Sequence, residues 1–186
     1  MGKADLHIHT SHSDGMADVP ELLDYVEEHT DLDIIGIVDH DDIGGALAAR
    51  ERWAKGSYRF ALVTGIEVTA LEGHVLALWV EEPVPSLVPL ERVVEAVRQQ
   101  GGLCVVPHPL SWLTRSIGMR TLTRFATSFD GIEVACCSPA ARVSLRRADP
   151  HAFRDFIRWH RDGVPLARGA SEHPARGRAQ SIARSG

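Results

Sequence analysis

The chain has 186 residues, of which 44% are apolar and 24% are charged, and its formal net charge is −5. These values are typical of one globular domain with a sizeable core, and nothing in the net charge indicates a surface that coats nucleic acid. No run of about 18 apolar residues is present to cross a membrane, and no signal peptide precedes the first strand. The three cysteines make no disulfide framework. We therefore expect a cytoplasmic protein.

The first predicted strand alternates apolar residues with possible metal ligands. Leu6 and Ile8 alternate with Asp5, His7 and His9. Because successive side chains of a strand point to opposite faces, the two histidines share one face, where they can converge on a metal ion. We expect the two apolar side chains to pack outward, under helices.

The polar turn after this strand offers two further candidate ligands, His12 and Asp14. A strand with hydrogen-bonded histidines is the alternative interpretation for His7 and His9, and a solvated turn residue is the alternative for His12. The acidic residues on both sides of the histidine pair favour the metal site.

Helices and apolar runs alternate along the next part of the chain. Asp18 stands at a helix N-cap position with Pro20 in the first turn, which predicts a helix to about residue 29. Residues 33–38 form the continuous apolar run of a strand buried on both faces, and His40 follows its end. An alanine-rich helix is predicted from about residue 43 to 53.

Two strands that are close in sequence come next. Residues 60–68 predict a third buried strand with Glu67 near its end, and residues 73–80 predict a strand that is close enough to pair with it. Apolar residues at helical spacing predict a helix that begins at Leu90 and ends at two consecutive glycines.

The last predicted strands also carry candidate ligands. Residues 103–106 predict a buried strand that is followed by His108, and residues 131–135 predict a strand that contains Glu133. A weak helix is predicted between them, at residues 119–128. The alternation of strands and helices predicts an α/β fold of parallel βα units.

Nearly every predicted strand ends in a side chain that can bind a metal. In a (β/α) barrel the C-terminal ends of the strands assemble the site, so these side chains predict a ring of ligands. Asp5, Asp39, Asp41 and Glu133 are candidates to orient the ligands by hydrogen bonds instead of binding the ion. The candidates at the strand ends are His7, His9, His40, Glu67, His108 and Glu133.

Five motifs, in this order, resemble the polymerase and histidinol phosphatase (PHP) domain. They are Asp-Leu-His-Ile-His-Thr at residues 5–10 with Ser-Asp-Gly at 13–15, Val-Asp-His-Asp at 38–41, Gly-Ile-Glu-Val-Thr at 65–69, Gly-His-Val-Leu-Ala-Leu at 73–78 and Val-Pro-His-Pro at 106–109. The resemblance covers residues 4 to 139. It implies a distorted seven-stranded (β/α) barrel and a phosphoesterase with two or three Mn, Zn or Fe ions.

The resemblance also implies a role for each matching residue. Glu67 bridges the first two ions and so places the nucleophilic hydroxide between them. The implied ligands are His7, His9 and Glu67 for the first ion, Glu67, His74 and His108 for the second, and Asp14 and His40 for the third.

The C-terminal part departs from the PHP pattern. Where the family has Gly-Ser-Asp-x-His, the nearest segment is Gly-Ala-Ser-Glu-His at residues 169–173, in which the carboxylate and His173 are adjacent. Adjacent residues of a strand face opposite ways, so both cannot point inward, although His173 remains a candidate ligand. We therefore expect a PHP-like domain over residues 1–170, a barrel that is incomplete at its C-terminal end, and an irregular tail over residues 174–186.

The resemblance implies hydrolysis of phosphate esters by a metal-activated hydroxide, on nucleotides or oligonucleotides, as by a 5′–3′ exonuclease or a nucleotide bisphosphate phosphatase. The expected partner is a phosphorylated small molecule or a short nucleic acid, with no membrane and no obligate protein partner. Arg115, in the loop after His108, is a candidate to hold a substrate phosphate, and a solvent-exposed loop arginine is the alternative.

Two other functions remain open. An amidohydrolase-type C–N hydrolase also has an HxH pair on its first strand, but it commonly uses a modified lysine as a bridging ligand. The only lysines here, Lys3 and Lys55, do not stand at strand ends. A PHP-like metal-binding remnant with impaired catalysis is the other alternative, because the last motif departs from the family.

Overall fold

The computed structural model describes residues 3–109, 111 and 114–133. Each element predicted within these residues is present, and its ends differ from the predicted ends by at most four residues. The strands are β1 (Ala4–Ile8), β2 (Ile34–Ile37), β3 (Ala61–Ala70), β4 (Gly73–Leu78), β5 (Leu103–Val106) and β6 (Gly131–Ile132). The helices are α1 (Val19–His29), α2 (Gly44–Lys55), α3 (Leu90–Gln99) and α4 (Met119–Arg124), with a short 3₁₀ helix at Ala126–Ser128.

The six strands form an α/β half-barrel of mixed direction, in the order β1-β2-β3-β4-β5-β6. The first three strands are parallel, and so are β5 and β6. Strand β4 is antiparallel to both of its neighbours. The prediction that β4 pairs with β3 is confirmed. The parallel arrangement predicted for the βα units does not extend to β4, because the two residues between Ala70 and Gly73 can close only a hairpin and not a crossover.

Side chains close to the helix ends define where the helices begin. Asp18 accepts a hydrogen bond from the Glu21 amide at 2.9 Å, as its N-cap position predicts. The Asp42 carboxylate accepts from the Gly44 amide at the start of α2, at 2.8 Å. None of the helices in the described residues is long and apolar enough to span a bilayer.

The apolar core lies in two layers, one on each face of the sheet. The larger layer joins the helices to the outer face and includes Leu23 of α1 and Ile66 of β3. The smaller layer contains Val63 and Leu76, and Val63 shares its face of β3 with Glu67 because side chains on one face recur every second residue. An apolar layer therefore lies below Glu67, on the inner face of the half-barrel.

Strand β1 contributes to both layers. Leu6 packs against the inner layer and Ile8 against the outer one. The prediction that both side chains face outward is wrong for Leu6, because the register of β1 on β2 shifts between Asp5 and Ile8. The extra residue at this bulge interrupts the alternation of the strand.

The predicted barrel closure, the domain boundary at residue 170 and the irregular tail at 174–186 lie outside the described residues, as does His173.

Candidate metal centre

A buried carboxylate stands at the centre of the predicted ligand ring. The Glu67 residue is only 1% exposed, and its two carboxylate oxygens contact different histidines. Oε1 lies 2.8 Å from His74 Nδ1 and 2.8 Å from His108 Nε2. Oε2 lies 2.9 Å from His7 Nε2, 3.0 Å from His9 Nε2 and 3.7 Å from His40 Nδ1. Five imidazoles therefore surround one carboxylate.

The strand ends bring these histidines to one edge of the sheet. His7 lies in β1 and His9 follows it, while His40 follows β2 and forms a parallel bridge with Glu67. His108 follows β5. The C-terminal ends of these strands meet at the same edge because the strands run in the same direction.

His74 reaches the same edge from the opposite direction. It stands near the start of β4, opposite Thr69 of β3. Because β4 is antiparallel, its N-terminal end lies beside the C-terminal ends of its neighbours. A search for ligands at strand C-termini therefore misses His74, and only the resemblance to the PHP motifs pointed to it.

The hydrogen bonds of His7 leave a lone pair directed at Glu67. His7 Nδ1 lies 3.2 Å from Glu133 Oε1, and since a carboxylate only accepts, the proton must be on Nδ1. His7 Nε2 in the neutral ring then faces Glu67 Oε2 with no hydrogen between two acceptors. A cation between these atoms, or a second proton on the ring, removes the conflict.

His108 is held in the same way by two hydroxyl groups. Its Nδ1 lies 3.0 Å from both Ser116 Oγ and Thr114 Oγ1. The Ser116 hydroxyl donates its hydrogen to the His108 carbonyl at 2.7 Å, so in that contact Nδ1 is the donor. His108 Nε2 is therefore the free acceptor that faces Glu67. Sequence reasoning missed both hydroxyls, because Ser and Thr are ordinary residues in a loop.

The ligand atoms form two overlapping sets that suit metal ions. The atoms of His7, Glu67 and His108 lie within 4.8 Å of one another, as do those of His9, His40 and Glu67. The sets share only Glu67, which is the arrangement of a bridging carboxylate. Imidazole nitrogens with a carboxylate, and no thiolate among them, suit Mn, Fe or Zn. The donor set therefore fits a divalent transition metal.

Burial and charge act on the protonation of these groups. Burial would lower the pKa of His7, but hydrogen bonds to Glu133 and Glu67 and their charges raise it to about 10. Burial would raise the pKa of Glu67, but the imidazoles that contact its two oxygens, with His108 and His7 foremost, hold it far below its usual range. In the metal-free protein His7 is therefore protonated at neutral pH, in a position where a bound cation would replace that proton.

The outer side of the site carries the candidates for a third ion. Asp14 is exposed; its Oδ1 lies 3.0 Å from His9 Nδ1 and its Oδ2 lies 3.7 Å from His40 Nε2. Burial lowers the pKa of His40, which favours the neutral ring that a metal needs. His12 is placed differently, since its Nδ1 faces Asp42 at 3.6 Å.

The acidic residues that were predicted to orient the ligands do so through different groups. Glu133 contacts His7 and also accepts from the His108 amide at 2.6 Å, so it supports two ligands. Its own pKa is lowered by these hydrogen bonds against the effect of burial. Asp5 accepts from the backbone amide of His7 at 3.1 Å, so it orients the main chain and not the imidazole.

Asp39 and Asp41 organise loops near the site. The fully buried Asp39 accepts from the Thr10 amide and hydroxyl, each at 2.7 Å, and from Ser13 Oγ at 2.6 Å. Ser13 Oγ lies 3.3 Å from His9 Nδ1, so Asp39 supports this ligand through the serine. Asp41 accepts from the Thr69 amide at 2.6 Å. Neither carboxylate is the direct partner of the His40 ring.

Arg115 lies beside the Oε1 side of the site. Its carbonyl accepts from the His74 amide at 2.7 Å. Its exposed guanidinium is 3.5 Å from the carbonyls of Ala70 and Leu71, at the turn between β3 and β4.

Comparison with solved structures shows a PHP-like fold. The chain matches, with a TM-score of 0.62 and 21% identity, a two-domain protein of Bacteroides vulgatus that contains a predicted PHP-like metal-dependent phosphoesterase. The match covers 77% of this chain and 47% of that one, so this chain spans about half of the two-domain protein. A protein of Bifidobacterium adolescentis, described as a metal-dependent phosphoesterase, matches with a TM-score of 0.60 and 18% identity over 78% of this chain and 82% of its own.

Other comparisons extend the list of relatives. A structure described as an amidohydrolase from Chromobacterium violaceum, with bound sulfate and no metal, matches with a TM-score of 0.62 and 17% identity, over 88% of this chain and 84% of its own. An uncharacterised protein of Methanocaldococcus jannaschii is 29% identical over 172 residues, which is 87% of this chain and 85% of the relative. No protein-family model matches the sequence. The chain thus has a PHP-like fold, as the sequence motifs indicated.

Proposed function

We propose that this protein is a metal-dependent phosphoesterase that acts on nucleotides or oligonucleotides. The observation that carries the proposal is the buried Glu67 carboxylate, which faces histidines on each of its two oxygens. A carboxylate in that position can bridge two ions. The Bacteroides and Bifidobacterium proteins of similar fold, both described as metal-dependent phosphoesterases, support the same chemistry.

The ligands divide between the two carboxylate oxygens of Glu67. His7 and His9 would hold one ion on the Oε2 side, and His74 and His108 would hold a second on the Oε1 side. This division follows the shortest contacts, although His7 also lies close enough to His108 to share a ligand set with it. Ions held in this way would supply a hydroxide at neutral pH and would offset the charge on the phosphoryl oxygens.

The remaining residues of the site prepare the ligands. Glu133 keeps the Nδ1 proton of His7, and Ser116 keeps that of His108, so the Nε2 atom of each ring faces the centre. The apolar layer below Glu67 excludes water from the side of the ligand cluster that faces the interior of the half-barrel. Substrate therefore approaches from the opposite side of the cluster, where Asp14 is exposed.

An amidohydrolase is the second candidate, because the Chromobacterium structure of similar fold carries that description. The bridging position argues against it. The two lysines lie at the surface, where Lys3 pairs with Asp31 and Lys55 pairs with Glu51, so neither of them can supply a modified lysine as the bridging ligand.

Substrate panels test the proposal directly. The purified chain, loaded with Mn²⁺, is assayed on p-nitrophenyl phosphate, bis(p-nitrophenyl) phosphate, 5′-phosphorylated oligonucleotides and a cyclic amide. We expect phosphoester hydrolysis that Mn²⁺ stimulates and that a chelator abolishes. Cleavage of the cyclic amide alone would support the amidohydrolase, and bound metal without turnover of any substrate would support a catalytically impaired remnant.

A further inference from the structure

Two carboxylates join the same pair of histidines in a closed ring of contacts. Among the described residues, Glu67 and Glu133 each contact both His7 and His108. Glu67 lies 2.9 Å from His7 Nε2 and 2.8 Å from His108 Nε2. Glu133 contacts His7 Nδ1 through Oε1 at 3.2 Å, and its Oε2 accepts from the main-chain amide of His108 at 2.6 Å. The two histidines therefore lie between the carboxylate that we propose binds the ions and a second carboxylate behind them.

The sheet fixes the position of Glu133. Strand β6 is parallel to β5, with Ile132 beside Val106, and the Glu133 amide donates to the Val106 carbonyl at 2.9 Å. The His108 amide follows on the β5 side, and the Glu133 carboxylate accepts from it. The side chain thus extends the pairing of these strands by one hydrogen bond. One carboxylate oxygen is anchored to the segment that carries His108, while the other reaches the ring of His7 on β1.

His108 depends on this contact because its backbone is strained. Its φ angle is +30°, in a region that residues with a Cβ atom rarely adopt. Its amide donates to Glu133, and its carbonyl accepts from the Ser116 hydroxyl at 2.7 Å. Such a conformation persists only where the surrounding structure holds it. Loss of Glu133 should therefore release His108 from the orientation that points its Nε2 atom at Glu67.

A carboxylate suits both contacts of Glu133, and an amide does not. His7 Nδ1 and the His108 main-chain amide are both N–H donors, and a carboxylate can accept on each of its two oxygens. A glutamine accepts on one oxygen and presents its NH₂ group to the other donor. A glutamate at this position can therefore hold both histidines at once, whereas a glutamine can hold only one of them.

We propose that Glu133 is a positioning residue shared by both ions of the metal centre. The proposed division of ligands places His7 on the Oε2 side of Glu67 and His108 on the Oε1 side. A residue that holds both histidines should affect the affinity for both ions, whereas the two hydroxyls at His108 Nδ1 act on that histidine alone. The proposal rests on the two-ion centre of the proposed function and is independent of the ester that is hydrolysed.

Stepwise Mn²⁺ affinities test the proposal without turnover. The chelator-treated chain is titrated with Mn²⁺ in competition with a chelating dye, and the dissociation constants of the two ions are fitted separately. The variants are Glu133→Leu, which removes both acceptors, Glu133→Gln, which keeps one, and the matched control Glu95→Gln, at a surface pair with Arg92.

Each variant has its own expected result. Glu133→Leu should weaken the binding of both ions about 10–100-fold, the usual effect of losing a partner behind a ligand. Glu133→Gln should weaken one ion much more than the other, because the amide satisfies one donor. Glu95→Gln should leave both constants unchanged.

The double variant Thr114→Val and Ser116→Ala separates the role of Glu133 from that of the Glu67 bridge. We expect it to weaken one ion, because both hydroxyls contact His108. An equal fall of both constants in this variant would assign the coupling to Glu67 and overturn the proposal. A fall of only one constant in Glu133→Leu would also overturn it, since both histidines would then serve a single ion.

Two further measurements separate this proposal from the fold and from the proposed function. Circular dichroism checks that the metal-free variants fold; if Glu133→Leu does not, Glu133→Gln decides, and two unchanged constants in that variant overturn the proposal. A wild type that binds two ions but hydrolyses no phosphoester would remove the proposed function, while the expected affinities would still support Glu133. Phosphoester turnover with unchanged affinities in both Glu133 variants, or a wild type that binds a single ion, would remove the shared role.

Discussion

At the scale of single residues, the chemistry of the site depends on which atom of each imidazole faces inward. Glu133 and the hydroxyls of Thr114 and Ser116 take the outer nitrogens of His7 and His108. When these rings are neutral, as a bound metal requires, their inner nitrogens are lone-pair donors aimed at Glu67. Hydrogen bonds of this kind commonly tune metal affinity by 10–100-fold.

Substitution of Glu67 by Gln should remove the carboxylate that we propose bridges two ions. The amide keeps the shape of the side chain but loses its charge and presents hydrogens to the imidazoles on one side. We expect the Mn content to fall by at least one ion per chain and phosphoester turnover to fall about a thousandfold, for a loss of roughly 4 kcal/mol in the barrier. Elemental analysis and steady-state kinetics measure both, and Glu51→Gln, at a surface pair with Lys55, is the control. Full metal content in Glu67→Gln would contradict the bridging role.

Removal of the two hydroxyls behind His108 should weaken metal binding without removing a ligand. In the double variant Thr114→Val and Ser116→Ala, the Nδ1 proton of His108 loses its acceptors. We expect the affinity for one ion to fall about 10–100-fold, measured by competition with a chelating dye. Thr123→Val is the control, because its hydroxyl bonds to the Met119 carbonyl within α4. Equal affinity in the double variant and the control would show that the hydroxyls are incidental.

At the scale of elements, the start of α2 is fitted against the loop that carries His9 and Asp14. A Cβ atom at Gly45 would lie 2.0 Å from Asp39 Oδ2 and 2.8 Å from Thr10 Oγ1. The glycine therefore allows the first turn of the helix to approach the fully buried carboxylate. This contact links the helix to the hydrogen bonds that support the His9 loop.

The substitution Gly45→Ala tests this contact. Alanine normally stabilises a helix relative to glycine by up to about 1 kcal/mol. Here we expect a loss of about 1–3 kcal/mol in the free energy of unfolding, since Asp39 or the helix must move. Denaturant unfolding measures the change, and Gly118→Ala is the control because a Cβ there has no neighbour within 4 Å. A stability gain in Gly45→Ala would refute the close approach.

At the scale of the whole molecule, the site concentrates charge inside the half-barrel. Without a metal, the attraction between His7 and its two carboxylates stabilises the fold only while the imidazole is protonated. The pKa of His7 is about 10 in the folded protein, above its ordinary value of 6.5. Its contribution is therefore complete below pH 6.5 and is lost as the pH rises toward 10.

The metal-free protein should lose thermal stability between pH 6.5 and pH 10. We expect its Tm to fall by about 5 °C or more over this range, and the fall to be smaller with Mn²⁺, since metal binding strengthens as imidazoles lose protons. Differential scanning calorimetry with and without chelator measures the difference. The variant His7→Asn should flatten the metal-free profile, whereas His29→Asn, on α1, should not. A metal-free Tm that stays constant over this range would contradict the charge pairing.

Much of the site could be predicted because its signals are local. The alternation of Asp5, His7 and His9, and the position of Glu67 in an apolar run, depend on nearest neighbours along the chain. The same holds for Asp18 as a helix cap, which the hydrogen bond to Glu21 confirms. The prediction that metal-capable residues at successive strand ends meet at one site then required only that parallel strands share an edge.

Only the tertiary structure decided which atoms meet. His74 joins the site because β4 reverses direction, and Glu133 reaches His7 across 126 residues of sequence. Leu6 turns inward because β1 bulges against β2. Each of these depends on strand direction and register, which are set by pairing between distant segments. Periodicity along one strand determines which face a side chain takes, but the partner across the sheet determines what that side chain contacts.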